Sequence, residues 1–385
     1  MTVQAFTYNQ VCPVVFGNGV VTLLGQKAKE MGMTKVLLVT DEPMTKLPPF
    51  EKTCKSLDEA GIKYVVYSDV TPDPKDTEVL KGAKFGKDNK VDGIIALGGG
   101  SAIDAAKAMN LLINNPEPLS QYYFSLNYAP LLPQIAVPTA SGTGSEATIY
   151  SVITEEASHA KRVLLVKCSL GLVDPELTYS LPPSMTAATG MDALAHVTEA
   201  VTSNAHNPKA DILADYVIKE IFKWLPVAVA EPENKEARYA MSLAANLGGV
   251  CFSDTCCHLG HGTAHSLGVK FHVPHGFGCA WALPETMKYS AKYFAHKARV
   301  VAKSMDLSFD DNTPDEKVGQ MIADKIIGLM RQINLKSIKD MGYTREDCIS
   351  VAPLVMTDAT WVFLPKQLEK PEIEEFLGRV YDSYQ

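Results

Sequence analysis

The chain has 385 residues, 46% of them hydrophobic and 21% charged, with a net charge of −8. This is the composition of an ordinary globular protein long enough for two domains. The acidic balance and the lack of a basic tract interleaved with aromatics argue against nucleic acid or an anionic membrane as the main partner. No apolar run approaches the ~20 residues of a membrane span.

The N-terminal MTVQAFTYNQ has no charged segment followed by an apolar one, so no secretory leader is expected. Helix and strand signals then alternate. A helix is expected over 21–31, ending near Gly32, then a strand over 35–40. A helix over 50–60 precedes a strand over 62–67, and a helix over 75–87 precedes a strand over 91–97. A further strand is expected over 134–138. Such alternation implies parallel βαβ units with buried strands. Beyond about residue 182, at Pro182-Pro183, the strand signal fades. Helical periods run over 186–203, 208–224, 234–249, 285–305, 314–332, 344–355 and 370–381. The expected fold is an α/β Rossmann-like N-terminal domain (1–182) followed by an all-helical C-terminal domain (183–385). The eight cysteines form no CxxC pair and read as reduced thiols of a cytoplasmic protein.

Between the third strand and the next helix stands GGGSAIDAAKAM, Gly98 to Met109. Ser101 reads as the helix N-cap and Asp104 as the third position of a near capping box. Three glycines before a helix N-terminus let an anion reach free N–H groups, so the loop reads either as a phosphate or pyrophosphate site or as a steep turn. Two formal dinucleotide fingerprints are imperfect. Gly17-Asn18-Gly19 lacks its third glycine, and Gly142-Thr143-Gly144-Ser145-Glu146-Ala147 lies late and lacks a clear following strand with an acidic end. The second offers Thr139, Ser141, Thr143 and Ser145 as donors to a cofactor, or is simply a polar turn. Asp41, after the 35–40 strand, either accepts both ribose hydroxyls and repels a 2′-phosphate, favouring NAD over NADP, or caps a helix.

Five of nine histidines fall between 258 and 275: His258, His261, His265, His272 and His275. His261 and His265 are four apart, one helical face, as are Asp192 and His196. With His275, placed in a Pro-containing loop, these form a candidate mononuclear metal site of N and O donors that needs no cysteine. A divalent ion beside a phosphate loop points to alcohol chemistry. The ion lowers the alcohol's pKa, and the alkoxide passes hydride to a nicotinamide.

FGNGV, GGGSAIDAAKAM, PTASGTGSEAT, VDPELT with LPPSMTAATGMDALAHVTEA, and HGTAHSLG with VPHG together resemble the iron-containing (group III) alcohol dehydrogenases over nearly the whole chain. The resemblance implies a Rossmann-like domain, a helical domain and a catalytic Fe2+ or Zn2+ held by Asp192, His196, His261 and His275. It implies pyrophosphate on Gly98, Gly99, Gly100 and Ser101, and cofactor contacts from Asp41, Thr139, Thr143, Asp73 and a lysine or arginine, Lys161 or Arg162. It implies that His265 lies near nicotinamide and substrate as a proton relay, that small alcohols or aldehydes are the substrates, and that the chain forms a homo-oligomer, a dimer or larger. Two departures stand out. His258 is an added imidazole in the segment running to His261. The C-terminal segment Asp358 to Lys366 is bulkier and more apolar than the family pattern, implying unbranched alcohols rather than polyols. The alternatives are a dehydroquinate-synthase-like lyase, which needs more Lys and Arg than the metal segments offer; a metal-dependent hydrolase with Glu199 as general base; and a non-catalytic nucleotide binder.

Overall fold

In the computed structural model, which describes residues 6–385, the β-branched runs become a six-stranded parallel sheet. The first five residues of the stretch read for a leader lie outside the described residues. Two compact units are present: residues 11–182 with 232–246, and residues 183–231 and 247–385 with the stretch through Gln10.

The first unit runs β1 (Val14–Phe16), α1 (Leu24–Glu30), β2 (Lys35–Val39), α2 (Pro48–Glu59), β3 (Lys63–Tyr67), α3 (Asp76–Asp88), β4 (Gly93–Gly98), α4 (Gly100–Asn114), β5 (Gln134–Pro138), β6 (Tyr150–Glu155), β7 (Ala160–Leu165) and β8 (Leu170–Val173). Strand order is β1-β8-β5-β4-β2-β3, and β6 and β7 form a separate antiparallel hairpin. Alternate residues feed two cores, one on each face of the sheet. Leu37, Val39, Ile94 and Ala96 enter one; Val36, Leu38, Ile95 and Leu97 enter the other. Each large aliphatic so buried contributes ~1.5–3 kcal/mol.

The register pairs Gly98 with Pro138, so β4 and β5 end level and the Thr139 N–H donates to the Gly98 carbonyl at 3.0 Å. The glycine loop and the 139–148 loop therefore leave the same end of the sheet. Gly17-Asn18-Gly19 is a turn instead. Its Gly19 N–H and the Val21 N–H both donate to Asp174 at 3.0 Å, which ties FGNGV to VDPELT.

Four strands expected from the sequence are present, and four were not foreseen. β1 is only three residues long, β8 contains a glycine, and the β6–β7 hairpin alternates weakly with charges on both strands.

The helical elements are α5 (Pro183–Thr202), α6 (Pro208–Ala230), α7 (Lys235–Phe252), α8 (Leu259–Phe271), α9 (His275–Tyr293), α10 (Ala295–Ser304), α11 (Asp315–Gln332), α12 (Arg345–Ile349), α13 (Ala352–Val355) and α14 (Lys370–Ser383). The part of α7 through Asn246 belongs to the first unit. The helix expected over 285–305 is two helices. The first begins ten residues earlier, through a glycine- and proline-rich stretch that read as loop. Those glycines serve close packing. A Cβ on Gly276 would lie 2.4 Å from the Ala188 carbonyl oxygen of α5, and one on Gly278 2.9 Å from the Ala264 Cα of α8. Backbone contact of this kind draws α5, α8 and α9 together. Among the described residues no helix is long and apolar enough to cross a membrane.

Candidate metal centre and dinucleotide loop

α5 carries Asp192 and His196 one turn apart, α8 carries His261, and His275 is the first residue of α9 rather than a loop residue. The three glycine-bearing helices bring these side chains onto one point. Asp192 Oδ1 lies 3.5 Å from His196 Nδ1, 3.6 Å from His261 Nε2 and 3.5 Å from His275 Nε2. These separations exceed hydrogen-bond length. They match the edge of a tetrahedron, about 3.4 Å, whose corners lie ~2.0–2.2 Å from a central ion. Asp192 Oδ1, His196 Nδ1 and His261 Nε2 are buried with no hydrogen-bond partner. Three buried polar atoms without partners, two of them 3.5–3.6 Å from the third, are a costly arrangement unless an ion satisfies them, so these residues fit a divalent metal. His275 is the least buried member and gives the cluster an open side, as a catalytic metal site requires.

The electrostatics divide the imidazoles. Burial lowers His261 and His275, but the neighbouring thiols and carboxylates outweigh it, holding His261 well above its usual range and His275 at about 10, so an ion would have to displace those protons. Burial pushes the Asp192 carboxyl up, but His196, His275 and His261 outweigh it and hold it well below its usual range. Burial drives His196 down to about 3, leaving a neutral imidazole able to ligate.

Glu199, considered above as a hydrolytic base, has a different task. Its Oε1 lies 2.7 Å from His261 Nδ1, and its Oε2 accepts from the N–H groups of His258 at 2.7 Å, Gly260 at 3.2 Å and His261 at 3.4 Å. Burial raises its pKa, but His261 outweighs burial and brings it to about 2. An ionised carboxylate so occupied caps the N-terminus of α8 and fixes His261 with Nε2 free. It is not available to activate water.

His265 is partly buried, and its Nδ1 lies 3.0 Å from Asp358 Oδ2. Burial lifts Asp358 and His265 outweighs it, so the carboxyl sits below its usual range; burial lowers His265 despite Asp358. The ionised carboxylate can only accept, so Nδ1 carries the proton and Nε2 is the basic nitrogen. Asp358 opens the C-terminal segment, whose short helix over 359–363 packs on α8. His258 is fully buried at the N-cap of α8, with Nε2 2.9 Å from the Thr202 hydroxyl. His272 lies at the C-cap of α8 and is exposed, outside the cluster. Sequence reasoning missed Cys279. Its sulfur joins Asp192, His261 and His275 in a four-donor group, while Cys257 groups with His196 and His261. The only signal was its spacing, one turn after His275.

In the α/β unit, α4 starts at Gly100 with Gly99 as N-cap, not at Ser101, and no side chain caps it. Asp104 forms no capping box. It is partly buried, accepting from the Ser145 hydroxyl at 2.5 Å and the Val152 N–H at 3.0 Å. The free first-turn N–H groups of Gly100 and Ser101 thus remain open to an anion. Thr143 packs on Gly100, where a Cβ would lie 2.6 Å from its methyl, and Asp41 Oδ2 lies near Gly98. Asp41 also caps, since its Oδ1 accepts from Met44 N at 2.8 Å. Asp73 and Lys161 pair with each other at 2.5 Å, whereas Arg162 pairs with Glu155 at 2.8 Å. Lys107, on the same helix as the glycine loop, went unnoticed in the sequence. Its buried ammonium donates to the carbonyls of Ser145 at 2.7 Å, Thr148 at 3.1 Å and Tyr150 at 2.6 Å, and so pins the 139–150 loop.

A parallel sheet with an uncapped glycine-bordered helix start, in a chain that also builds a donor cluster for one divalent ion, defines a metal-dependent oxidoreductase. The comparisons narrow this. Residues 13–175 match the family described as iron-containing alcohol dehydrogenase, and residues 186–381 match the C-terminal part of the Fe-containing alcohol dehydrogenase family. The chain is 33% identical to alcohol dehydrogenase 4 of Schizosaccharomyces pombe, covering 94% of this chain and 85% of that one. It is 33% identical to an NADPH-dependent butanol dehydrogenase of Clostridium saccharobutylicum, covering 96% of both. Its fold is similar to the crystal structure of a 1,3-propanediol oxidoreductase, with a TM-score of 0.92 and 30% identity over 98% of this chain and all of that one. The chain belongs to the iron-containing alcohol dehydrogenase family and is a metal-dependent, NAD(P)-dependent oxidoreductase of alcohols and aldehydes. The lyase, hydrolase and non-catalytic readings fall with that assignment.

Proposed function

We propose that the chain interconverts small unbranched primary alcohols and their aldehydes, with NAD and a divalent ion held by Asp192, His196, His261 and His275. The observation that carries this reading is that Asp192 Oδ1, itself buried without a hydrogen-bond partner, lies 3.5–3.6 Å from a ring nitrogen of each of His196, His261 and His275, two of them likewise buried and partnerless. A divalent ion in such a donor set, Fe2+ or Zn2+, supplies Lewis-acid polarisation of an alcohol or carbonyl oxygen. A nicotinamide cofactor, when bound, would supply the hydride chemistry. The protein's own residues do the rest. Glu199 orients His261, Asp358 holds His265 in the tautomer with a basic Nε2, and that nitrogen takes the alcohol's proton on its way to solvent.

The uncapped start of α4 supports pyrophosphate binding at Gly98, Gly99, Gly100 and Ser101. Thr139 and Thr143 line that loop, and the Lys161–Asp73 pair borders the same cofactor. The Asp41 carboxylate near Gly98 favours NAD over NADP, since a 2′-phosphate would meet a like charge. Trp361 and Phe363 on the segment packed against α8 support the preference for unbranched substrates. Eight free thiols fit a cytoplasmic location, and exposed Phe6 and Tyr8 fit assembly into a homo-oligomer.

The test is NADH formation with 1-butanol, 1,2-propanediol and glycerol, with and without a chelator, alongside metal analysis of anaerobically purified protein. The expected result is chelator-sensitive turnover, fastest with 1-butanol, and one metal per chain lost in His196→Ala and His261→Ala. Metal and turnover intact in both variants would overturn the metal assignment, and a clear polyol preference would overturn the substrate assignment. Asp41→Ser should relax the preference for NAD over NADP by about tenfold or more in measured affinities.

A further inference from the structure

A four-donor group around Asp192 contains a thiol. Asp192, His261, His275 and Cys279 place one ligand atom each within 4.8 Å of one another. Cys279 follows His275 by one turn of α9, and its Sγ lies 3.5 Å from His275 Nε2. With bonds of ~2.0 Å to nitrogen and ~2.3 Å to sulfur, a tetrahedral ion holds N and S donors about 3.6 Å apart. The observed separation is close to that edge, and it equally suits an S–H···N hydrogen bond. Cys279 is fully buried, so its sulfur faces no solvent. His196 lies 3.5 Å from Asp192 but falls in a different compact group, with Cys257 and His261.

We propose that Cys279 is a thiolate ligand of this centre. On binding, the Sγ–H bond breaks, its proton passes to solvent, and a sulfur–metal bond forms with no change of oxidation state. A thiolate makes the donor set softer than one of carboxylate and imidazoles and shifts its preference from Fe2+ towards Zn2+. With Asp192, His196, His261 and His275 retained, Cys279 is a fifth donor, a coordination number that zinc reaches. The proposal rests on the metal reading above and adds to it a ligand and a metal preference.

The test needs no activity measurement. X-ray absorption at the zinc edge of the wild-type protein should give one sulfur neighbour at about 2.3 Å. Cobalt-loaded wild type should show the near-ultraviolet charge-transfer absorption of a cobalt–thiolate bond. Cys279→Ser should lose it and Cys257→Ser should keep it. In zinc–iron competition, the zinc preference of Cys279→Ser should fall about tenfold or more. A shell of nitrogen and oxygen alone at the zinc edge overturns the proposal even if Cys279→Ser fails to fold, and so does a cobalt band that vanishes in Cys257→Ser but survives in Cys279→Ser. If the wild type binds no stoichiometric metal, the metal reading itself has failed. If metal is bound but lacks sulfur, only the Cys279 assignment has.

Discussion

Replacing Lys107 by methionine tests whether the cofactor loop is held by one buried charge. The side chain is 0% exposed, and its ammonium bonds to the carbonyls of Ser145, Thr148 and Tyr150 at 2.6–3.1 Å. It also faces the partly buried Asp104 and the buried Glu146, whose pKa values burial raises; Lys107 pulls Asp104 back, and Asn246 with a smaller contribution from Lys107 pulls Glu146 back. Methionine fills the volume but donates nothing. A buried carbonyl left without its donor costs ~1–3 kcal/mol, so three give an upper bound of about 9 kcal/mol. The Thr148 hydroxyl still reaches Ser145 O and Tyr150 O at 3.3–3.4 Å, and the two carboxyls can take up protons, so the loss is smaller. Removing one partner of a buried charged network costs ~3–5 kcal/mol, the value expected here. For a unit of this size that is a fall in Tm of ~6–20 °C, read by calorimetry. The 139–150 loop carries Thr139 and Thr143, so NAD affinity by titration calorimetry should fall as well. A Tm change under about 2 °C with unchanged NAD affinity would refute the reasoning, because the ammonium would then hold nothing that matters.

Glu199→Gln should weaken metal binding ~10–100-fold in a chelator competition while the helices remain folded, since the amide cannot hold His261 Nδ1–H and three backbone N–H groups as a carboxylate does. Gly276→Ala places a Cβ 2.4 Å from the Ala188 carbonyl oxygen; it should destabilise by ~1–3 kcal/mol in thermal unfolding and lower metal content by displacing His275. Asp92 accepts from Thr34 N and Lys35 N at 2.9 Å and from the Thr34 hydroxyl. Burial raises its pKa, but these donors outweigh it and hold it below its ordinary 3.8. The unfolded chain therefore protonates first, and the stabilisation is present above that value and lost as pH falls below it. Wild type should exceed Asp92→Asn by ~1–2 kcal/mol in urea titrations from about pH 8 to pH 5, and the gap should narrow below about pH 4. A gap that widens on acidification would contradict the sign.

Much of the fold is legible because burial on both faces leaves unbroken apolar runs. β2, β3, β4 and β5 are read from such runs, and the glycine loop from its place between one of them and a helix. The β6–β7 hairpin is not, because its faces alternate weakly and carry charges at Glu155, Lys161 and Arg162. Nor is the start of α9. Glycine and proline at 274–278 are loop signals locally, but there they remove the Cβ atoms that would keep α9 from α5 and α8. Tertiary packing overrides local propensity at that point. The candidate donors Asp192, His196, His261, His265 and His275 were visible through residue type and spacing, and the choice of 192, 196, 261 and 275 among them came from the family resemblance. Lys107 was not, and Glu199 was noticed only as a possible base, because a lone charge in an apolar helix names no partner.

What the sequence by itself determined is periodicity and chemistry. It carries the alternation of strands and helices, the anion-accessible glycine turn, and the supply of imidazoles and carboxylates at helical spacing. Those are properties of neighbours along the chain. What only the tertiary structure decided is distance. The four donors around Asp192 come from three helices whose separation is set by side chains that are absent, the glycines at the crossings. Which nitrogen of His261 is held, whether Glu199 is free or occupied, and that a cysteine comes within reach of the same point follow from that packing, which no local pattern encodes.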